Sequence, residues 1–557
     1  MKILLATLHA KYVHSSLALP ALAAACAGLP GVELEILELT VNEHRDQLLS
    51  RLVDARADVA MFSCYIWNTE LTLKLVSDLK KLDPQLFVVL GGPEVSFGSF
   101  ELMQHNPAID CIVRGEGEIT CRRLLEALLD RQPLDGIAGL SYREDEETVA
   151  NPEAEVVAEL DTLPSPFLAG LADLSKPLVY YETSRGCPFS CAFCLSSLEK
   201  GVRSYSYERI EADLGLLMES GVRTIKFVDR TFNYDAGRAN RIWRFILENN
   251  RESKFHFEIA ADLLTGENIS LLSQVPADLF RFEIGVQSGG EETLAKVERK
   301  SSLEKLFSNV RRLKEETKVT VHLDLVAGLP GESFSGFLSS LESLFKVAPD
   351  HIQVEPLKVM KGTRMRGIAR SEKYAYSESA PYKVLQTPWL SYAEICSIEN
   401  ISRLLDLLYN SGRFATSLAV LAERAPLSEI FVAAASFFES QEVAWNLSLP
   451  PLFETLNGFA ATRLAGEELT RFHDALAYDY CLTGYPGGNL PSFFGPPQKP
   501  GREPLPSLPV VRKDERVRYY RRTFARDYRV TPWHEHPATV TFVYRSAPGE
   551  GLTVQIL

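Results

Sequence analysis

The sequence of 557 residues contains no apolar run long enough to cross a bilayer, so no membrane span is expected. Its opening, MKILLATLHAKYVH, lacks the charged, then apolar, then small-residue plan of a secretory leader, and a cytoplasmic chain is expected. Positive charge is in deficit. Against 73 Asp and Glu stand 59 Lys and Arg, a net charge of −14, which disfavours whole-surface binding to nucleic acid or anionic membrane but leaves a local basic patch open. Cysteine is sparse and odd in number, nine in all, so the chain carries no disulfide framework. No G-x-G-x-x-G string occurs, which removes the dinucleotide fingerprint. What is present is ordinary for a globular chain, 46% hydrophobic and 24% charged, and this excludes disordered and fibrous classes. The length calls for roughly three or four domains.

Residues 1–130 alternate short apolar runs with amphipathic stretches. KILLATL, VELEILEL, DVAMFSCY, LFVVLGG and CIVRGEG read as strands, and the segments between them as helices. The implied fold class is α/β, with a doubly wound parallel sheet at the N-terminus. Ligands of such sheets sit beyond the carboxyl ends of the strands. The residues there are His9, Tyr12 and His14 after the first strand, and Ser63, Tyr65, Trp67 and Asn68 (SCYIWN) after the third. Gly91, Gly92, Pro93 and Glu94 follow the fourth, and Gly115, Glu116, Gly117 and Glu118 the fifth. Glycines at strand ends permit close backbone approach and offer N–H donors at helix starts.

GGPE followed by GEGE resembles the cobalamin-binding domain at the N-terminus of many radical S-adenosylmethionine (SAM) enzymes. The D-x-H-x-x-G string, whose histidine takes the cobalt in methionine synthase and the mutases, is absent. The radical SAM branch commonly lacks it, so His9 and His14 are expected to hydrogen-bond rather than ligate cobalt. The resemblance makes SCYIWN a cover over one corrin face.

Residues 131–177 form a connection with a hairpin, GIAGLSYREDEETVA, and a Pro-containing stretch. The most specific signal follows in LVYYETSRGCPFSCAFCLSS, where Cys187, Cys191 and Cys194 take C-x3-C-x2-C spacing. Three thiolates on one loop can ligate three irons of a [4Fe–4S] cluster. With the next cysteine at Cys396, no fourth ligand is near. A zinc loop is the alternative, but zinc sites pair such cysteines with a second Cys or His pair, and none follows. The spacing, Phe193 before the last cysteine and the turn-prone Ser184-Arg185-Gly186 resemble the radical SAM loop. The resemblance implies an open iron that binds the amino and carboxylate groups of SAM, reductively cleaved to a 5′-deoxyadenosyl radical.

Beyond the cysteines come the strand candidates TIKFVD, KFHFEIA, LFRFEIGVQS, VTVHLDLVAGLPGE and HIQVEPLKV. With LVYYETS they make six βα units over 178–360, a partial (βα)6 barrel of the TIM type. One parity is apolar: Phe255, Phe257 and Ile259; Phe280, Phe282, Ile284 and Val286; Val321, Leu323 and Leu325. The other is polar: His256 and Glu258; Arg281, Glu283, Gly285 and Gln287; His322 and Asp324; Gln353 and Glu355. Apolar outer faces pack on helices, whereas polar inner positions are costly unless paired or bound to a ligand. A hollow lumen with a polar occupant is expected. By strand position, the resemblance sets Asp229-Arg230-Thr231 near the SAM amino group, Gly285, Gln287 and Ser288 near its ribose and carboxylate, and the Gly328–Glu332 turn near the adenine.

The remaining residues divide into a mostly helical domain at 361–485 and a Pro-rich linker with a strand-rich basic tail at 486–557. The stretch 486–509 holds eight prolines and four glycines. In the tail, Arg512, Lys513, Arg516, Arg518, Arg521, Arg522, Arg526 and Arg529 read as a solvated face with salt bridges, and an RNA or phosphate contact is the lesser reading. His534-Glu535-His536 lacks a separated third ligand and reads as a loop. The domain order resembles cobalamin-dependent radical SAM proteins with an uncharacterised C-terminal domain. That resemblance implies three cofactors: a [4Fe–4S] cluster, SAM and cobalamin. It also implies a low-potential donor such as ferredoxin or flavodoxin, and methyl transfer from methylcobalamin to an unactivated carbon. A non-methylating cyclisation or rearrangement, or a cobalamin- or redox-sensing binding protein, are the alternatives.

Overall fold

The structure is a computed structural model. It describes all residues except 146, 200, 442–444, 446, 488–489, 496–514, 531, 535 and 548–550. Arg512, Lys513, Glu535 and most of the Pro-rich stretch therefore lie outside the described residues. The chain forms two compact units: Met1–His322 with Gly328–Gly331 and Pro356–Trp389, and Leu323–Ala327 with Glu332–Glu355 and Leu390–Leu557.

The first unit begins with five βα repeats: β1 (Lys2–His9), α1 (Ala18–Cys26), β2 (Glu33–Thr40), α2 (Arg45–Asp54), β3 (Val59–Ser63), α3 (Thr69–Leu82), β4 (Phe87–Gly91), α4 (Ser99–His105), β5 (Cys111–Val113) and α5 (Gly117–Asp130). The expected hairpin supplies β6 (Leu140–Glu144) and β7 (Glu147–Ala150), which extend the same sheet. Its order is β2-β1-β3-β4-β5-β6-β7. The first five strands are parallel and the last two antiparallel. Alternate side chains of β1 enter opposite layers: Leu4, Ala6 and Leu8 pack with Leu48, Leu75 and Leu79, while Ile3 and Leu5 pack with Leu19, Ala23 and Leu124. Both faces are covered, as a parallel sheet requires. The strand order reverses at β1, so the crevice lies between the ends of β1 and β3.

Next come β8 (Leu178–Tyr181), a small antiparallel pair β9 (Ser184–Cys187) and β10 (Gly201–Ser204), α6 (Tyr207–Glu219), β11 (Thr224–Phe227), α7 (Ala236–Asn249), β12 (Lys254–Ile259), α8 (Gly266–Leu272), β13 (Phe280–Gln287), α9 (Glu291–Lys296), α10 (Leu303–Glu316), β14 (Thr320–Ala327), α11 (Phe334–Phe345) and β15 (His351–Pro356). Within the first unit, β8, β11, β12 and β13 form a parallel sheet in the order β13-β12-β11-β8. On β12 and β13 the apolar parity is buried, and Phe227, Phe257, Phe282 and Trp243 pack ring to ring beneath the helices. The polar parity (His256, Glu258, Glu283, Gln287) is only half-buried.

In the second unit, helices Tyr392–Leu404, Ala415–Ala422, Leu427–Ser440, Leu449–Ala461 and Gly466–Thr483 precede an antiparallel sheet of Arg516–Phe524, Ala538–Ser546 and Thr553–Ile556. Three of the tail's arginines are spent inside the fold, while Arg516 and Arg518 are exposed. Arg522 Nη2 donates to the Phe494 carbonyl (3.0 Å), Arg526 pairs with Glu423 (3.2 Å) and Arg529 with Asp527 (2.8 Å). Among helices of the described residues, none is long and apolar enough to span a membrane.

Asp479 is fully buried and caps the start of Ala415–Ala422, accepting from Thr416 N (3.2 Å) and from Ser417 N (2.7 Å) and Oγ. Burial pushes its pKa up to about 6, against the pull of the Ser417 and Thr416 donors. A folded pKa above the unfolded value binds protons more tightly in the native state. The contribution is therefore complete below the unfolded aspartate pKa of about 4 and lost as pH rises through about 6. Asp479→Ala is expected to cost about 2 kcal/mol by leaving buried donors unpaired. The gap between wild-type and variant unfolding midpoints should widen from pH 7 to pH 5.

Candidate functional site

The cysteine loop hangs from the β9–β10 hairpin. Cys187 closes β9 opposite Gly201, and Gly186 (φ +86°) is required there because a Cβ would lie 2.2 Å from the Gly201 carbonyl oxygen. The loop is pinned by Ala192 N to Val297 O (2.8 Å) and Met365 N to Ala192 O (2.9 Å). Cys191 is buried, while Cys187 and Cys194 are half-buried. Burial raises the Cys191 pKa, and the Arg299 guanidinium, with Nη1 3.6 Å from the sulfur, opposes it. The Thr231 hydroxyl is 3.6 Å from Cys187 Sγ.

Among the described residues, no three His, Cys, Asp or Glu side chains converge as the ligands of one metal ion would. Three thiols on one hairpin loop, with no fourth cysteine beside them and Arg299 against Cys191, fit three irons of a [4Fe–4S] cluster.

Asp229 lies directly beneath this loop with no exposure. Its carboxylate accepts from Thr183 N (2.9 Å), from the Thr183 hydroxyl and from the Ser184 hydroxyl. It is thus occupied within the protein, and of this strand end Thr231 is in contact with Cys187. Deeper in the lumen, Glu283 Oε2 meets Lys226 Nζ at 3.0 Å and His256 Nε2 at 2.9 Å. Burial would raise the Glu283 pKa, but His256 and Lys226 hold it well below the usual carboxylate range. Glu258 occupies the same layer, in register with Glu283. At the end of β13, Gln287 adopts φ +70°, a sparsely populated conformation for a side-chain residue. Ser288 is buried and accepts from Gly290 N (3.1 Å). Gly328 (φ +96°) accepts from the Tyr374 hydroxyl (3.1 Å) through its carbonyl.

At the N-terminal sheet's carboxyl edge, Tyr65 and Trp67 stack at 4.5 Å, with Trp67 47% exposed and Tyr12 74% exposed. These rings can cover a flat macrocycle. The Asn68 amide is spent on the loop itself, donating to Leu8 O and Ser63 O at 3.0 Å each and accepting from Tyr65 N. His9 is tied to Glu38 (2.7 Å). Gly92 (φ +105°) lets the GGPE turn close on Cys64, whose carbonyl a Cβ would meet at 2.6 Å. Pro93 follows in that turn, and the buried Glu94 reaches away from the crevice to Lys361 (2.8 Å) and the Tyr382 hydroxyl. Gly115 (φ +77°) borders open space, as a ligand approach would require.

The strand-end loops of this sheet meet the barrel within the same compact unit. His14 Nδ1 lies 2.7 Å from the Tyr180 hydroxyl, and Glu116 and Glu118 both pair with Arg185. Sequence reasoning did not single out Arg185, Arg203, Lys226, Tyr180 or Arg299 as site residues. Lys226 had a signal, since Ile225 and Phe227 face the helices and leave it inward. The partners of Arg185 and Arg299 are set only by the folded chain.

Three family models match: the B12 binding domain at residues 3–125, the Radical SAM superfamily at 181–344, and a Protein of unknown function (DUF4080) at 372–506. An uncharacterized methyltransferase of Pyrococcus horikoshii is 40% identical over 29% of this chain and 37% of its own. The cobalamin-dependent radical SAM methyltransferase TokK of Streptomyces tokunonensis is 25% identical over 57% of this chain and 49% of its own. The chain spans about half the length of the curated relatives it matches. The solved cobalamin-dependent SAM radical enzyme OxsB shares the fold, with TM-score 0.59 at 16% identity over 86% of this chain and 83% of that one. The chain carries a B12-binding domain followed by a radical SAM domain, on the fold shared with the cobalamin-dependent SAM radical enzyme OxsB.

Proposed function

We propose that this protein is an enzyme that cleaves SAM reductively and transfers a methyl group to an unactivated carbon. Bound cluster and SAM supply a carbon-centred radical, and bound cobalamin supplies the methyl group. The observation that carries the reading is the meeting of two sites in one compact unit. The three-thiol hairpin and the carboxyl edge of the B12-binding sheet touch through Arg185, Glu116 and Glu118.

In this reading Cys187, Cys191 and Cys194 hold the cluster, and Arg299 stabilises the Cys191 thiolate. Asp229 fixes the strand end beneath them. Tyr65 and Trp67 wall the corrin, with Tyr12, Gly91, Gly92, Pro93, Gly115 and Gly117 along the same edge. Glu258, Gln287, Ser288 and Gly328 border the SAM position. Lys226, Glu283 and His256 line the lumen with paired charges that orient a polar substrate. Enclosure between the two domains keeps water away from a radical that must meet a single partner. The electron comes from a low-potential donor of the ferredoxin or flavodoxin kind. A reducing, cytoplasmic setting agrees with nine cysteines that are all unpaired.

The test uses anaerobically reconstituted protein with cobalamin, a strong reductant and methyl-labelled SAM. Label on the cobalamin together with 5′-deoxyadenosine is expected. Formation of 5′-deoxyadenosine with no labelled cobalamin would favour non-methylating chemistry, and absence of both products would contradict the reading.

A further inference from the structure

The GEGE loop and the cysteine hairpin are joined by a buried charge cluster. Arg185 and Arg203 face each other across the β9–β10 pairing, on the strand that ends in Cys187 and on its partner. Arg185 reaches Glu116 (3.2 Å), Glu118 (2.6 Å) and Glu182 (2.7 Å). Arg203 reaches Glu116 (2.8 Å), Glu199 (2.8 Å) and the Val157 carbonyl (2.6 Å). Glu116 is the shared member, because its second oxygen accepts from Val157 N (2.7 Å) and Arg203 Nη1 (3.1 Å). The side chains of Arg185, Arg203, Glu116 and Glu118 are only 14%, 16%, 12% and 9% exposed. Buried charges tolerate little change in spacing, because a stretched pair is left without water to replace its partner.

Glu116 stands at the N-cap position of α5, at the carboxyl edge of β5 where a ligand of the N-terminal sheet would sit, and its carboxylate is turned to the arginines rather than to the helix. A shift of this loop therefore pulls on the hairpin that carries Cys187. We propose that Glu116 is a positioning residue through which the Arg185–Arg203 cluster couples cobalamin binding to the pose of the cysteine loop. This rests on the functional reading above, that both cofactors are bound by this chain. Coupling is reciprocal, so the cluster-loaded protein binds cobalamin more tightly, and cobalamin alters the surroundings of the cluster.

The experiment titrates hydroxocobalamin into full-length protein with the iron–sulfur cluster loaded and after its removal by chelation. The cluster-loaded form is expected to bind at least about fivefold more tightly. Adding cobalamin should also change the electron paramagnetic resonance spectrum of the reduced cluster. In Glu116→Gln and Arg203→Gln the affinity ratio falls toward unity and the spectrum ceases to respond, while both cofactors still load. A wild-type ratio of unity overturns the inference with no variant needed, and so does an unchanged ratio in both variants. Wild-type protein that takes up neither cofactor overturns the functional reading itself.

Discussion

Cys191→Ala removes the iron–sulfur absorbance and all reductive SAM cleavage, while saturating cobalamin remains bound. Cys191 is the most buried of the three cysteines, 4% exposed, and its sulfur faces Arg299. Two remaining thiols on the loop leave the cluster two ligands short of four instead of one. The loop's own bracing runs through the backbone of Ala192, Cys194 and Val297, so loss of the thiol alone does not unfold it. The proposed corrin edge belongs to a sheet with its own two cores, built around Leu4, Ala6 and Leu8 on one face and Ile3 and Leu5 on the other. Absorbance of the reconstituted variant and its 5′-deoxyadenosine yield check this. Loss of cobalamin together with iron at saturating cobalamin would contradict separable cofactor modules.

Asp229→Ala is expected to destabilise the first unit by about 4 kcal/mol, because three buried donors on Thr183 and Ser184 lose one charged acceptor. The effect extends to the site, since Ser184 begins the strand that ends in Cys187. Iron retention should fall along with the urea midpoint. Asp229→Asn keeps one acceptor oxygen and should cost less than the alanine. A change below about 1 kcal/mol for Asp229→Ala would show that the carboxylate does not anchor the strand end.

These two sites also mark what was legible in the sequence. The cysteine spacing is local, so it carries its chemistry without the fold. The barrel parity was readable for a similar reason: successive strand residues alternate faces, and Phe255, Phe257, Phe280 and Phe282 could only be outward. Asp229 is different. Its place at a strand end gave proximity to the cysteines, but whether its oxygens face a ligand or Thr183 and Ser184 depends on packing between β8, β9 and β11. The Arg185–Glu116 pair spans 69 positions and two domains, and no local pattern encodes such a contact. Glu94 likewise sat in a motif read as part of the crevice, yet its charge is used on Lys361, 267 positions away. The basic tail illustrates the converse. Its arginines form a conspicuous run in sequence, yet the fold turns Arg522, Arg526 and Arg529 onto the Phe494 carbonyl, Glu423 and Asp527 and leaves Arg516 and Arg518 exposed.

The proposed function requires three thiolates that leave one iron vertex vacant within reach of a corrin. Its most direct test is metal and cofactor analysis of protein purified without oxygen, followed by spectroscopy of the reduced cluster with and without SAM. Iron and sulfide in cluster proportion, cobalamin bound to the same chain, and a spectrum that changes on SAM addition are the predicted result. Zinc in place of iron and sulfide, or a cluster spectrum indifferent to SAM, would contradict it.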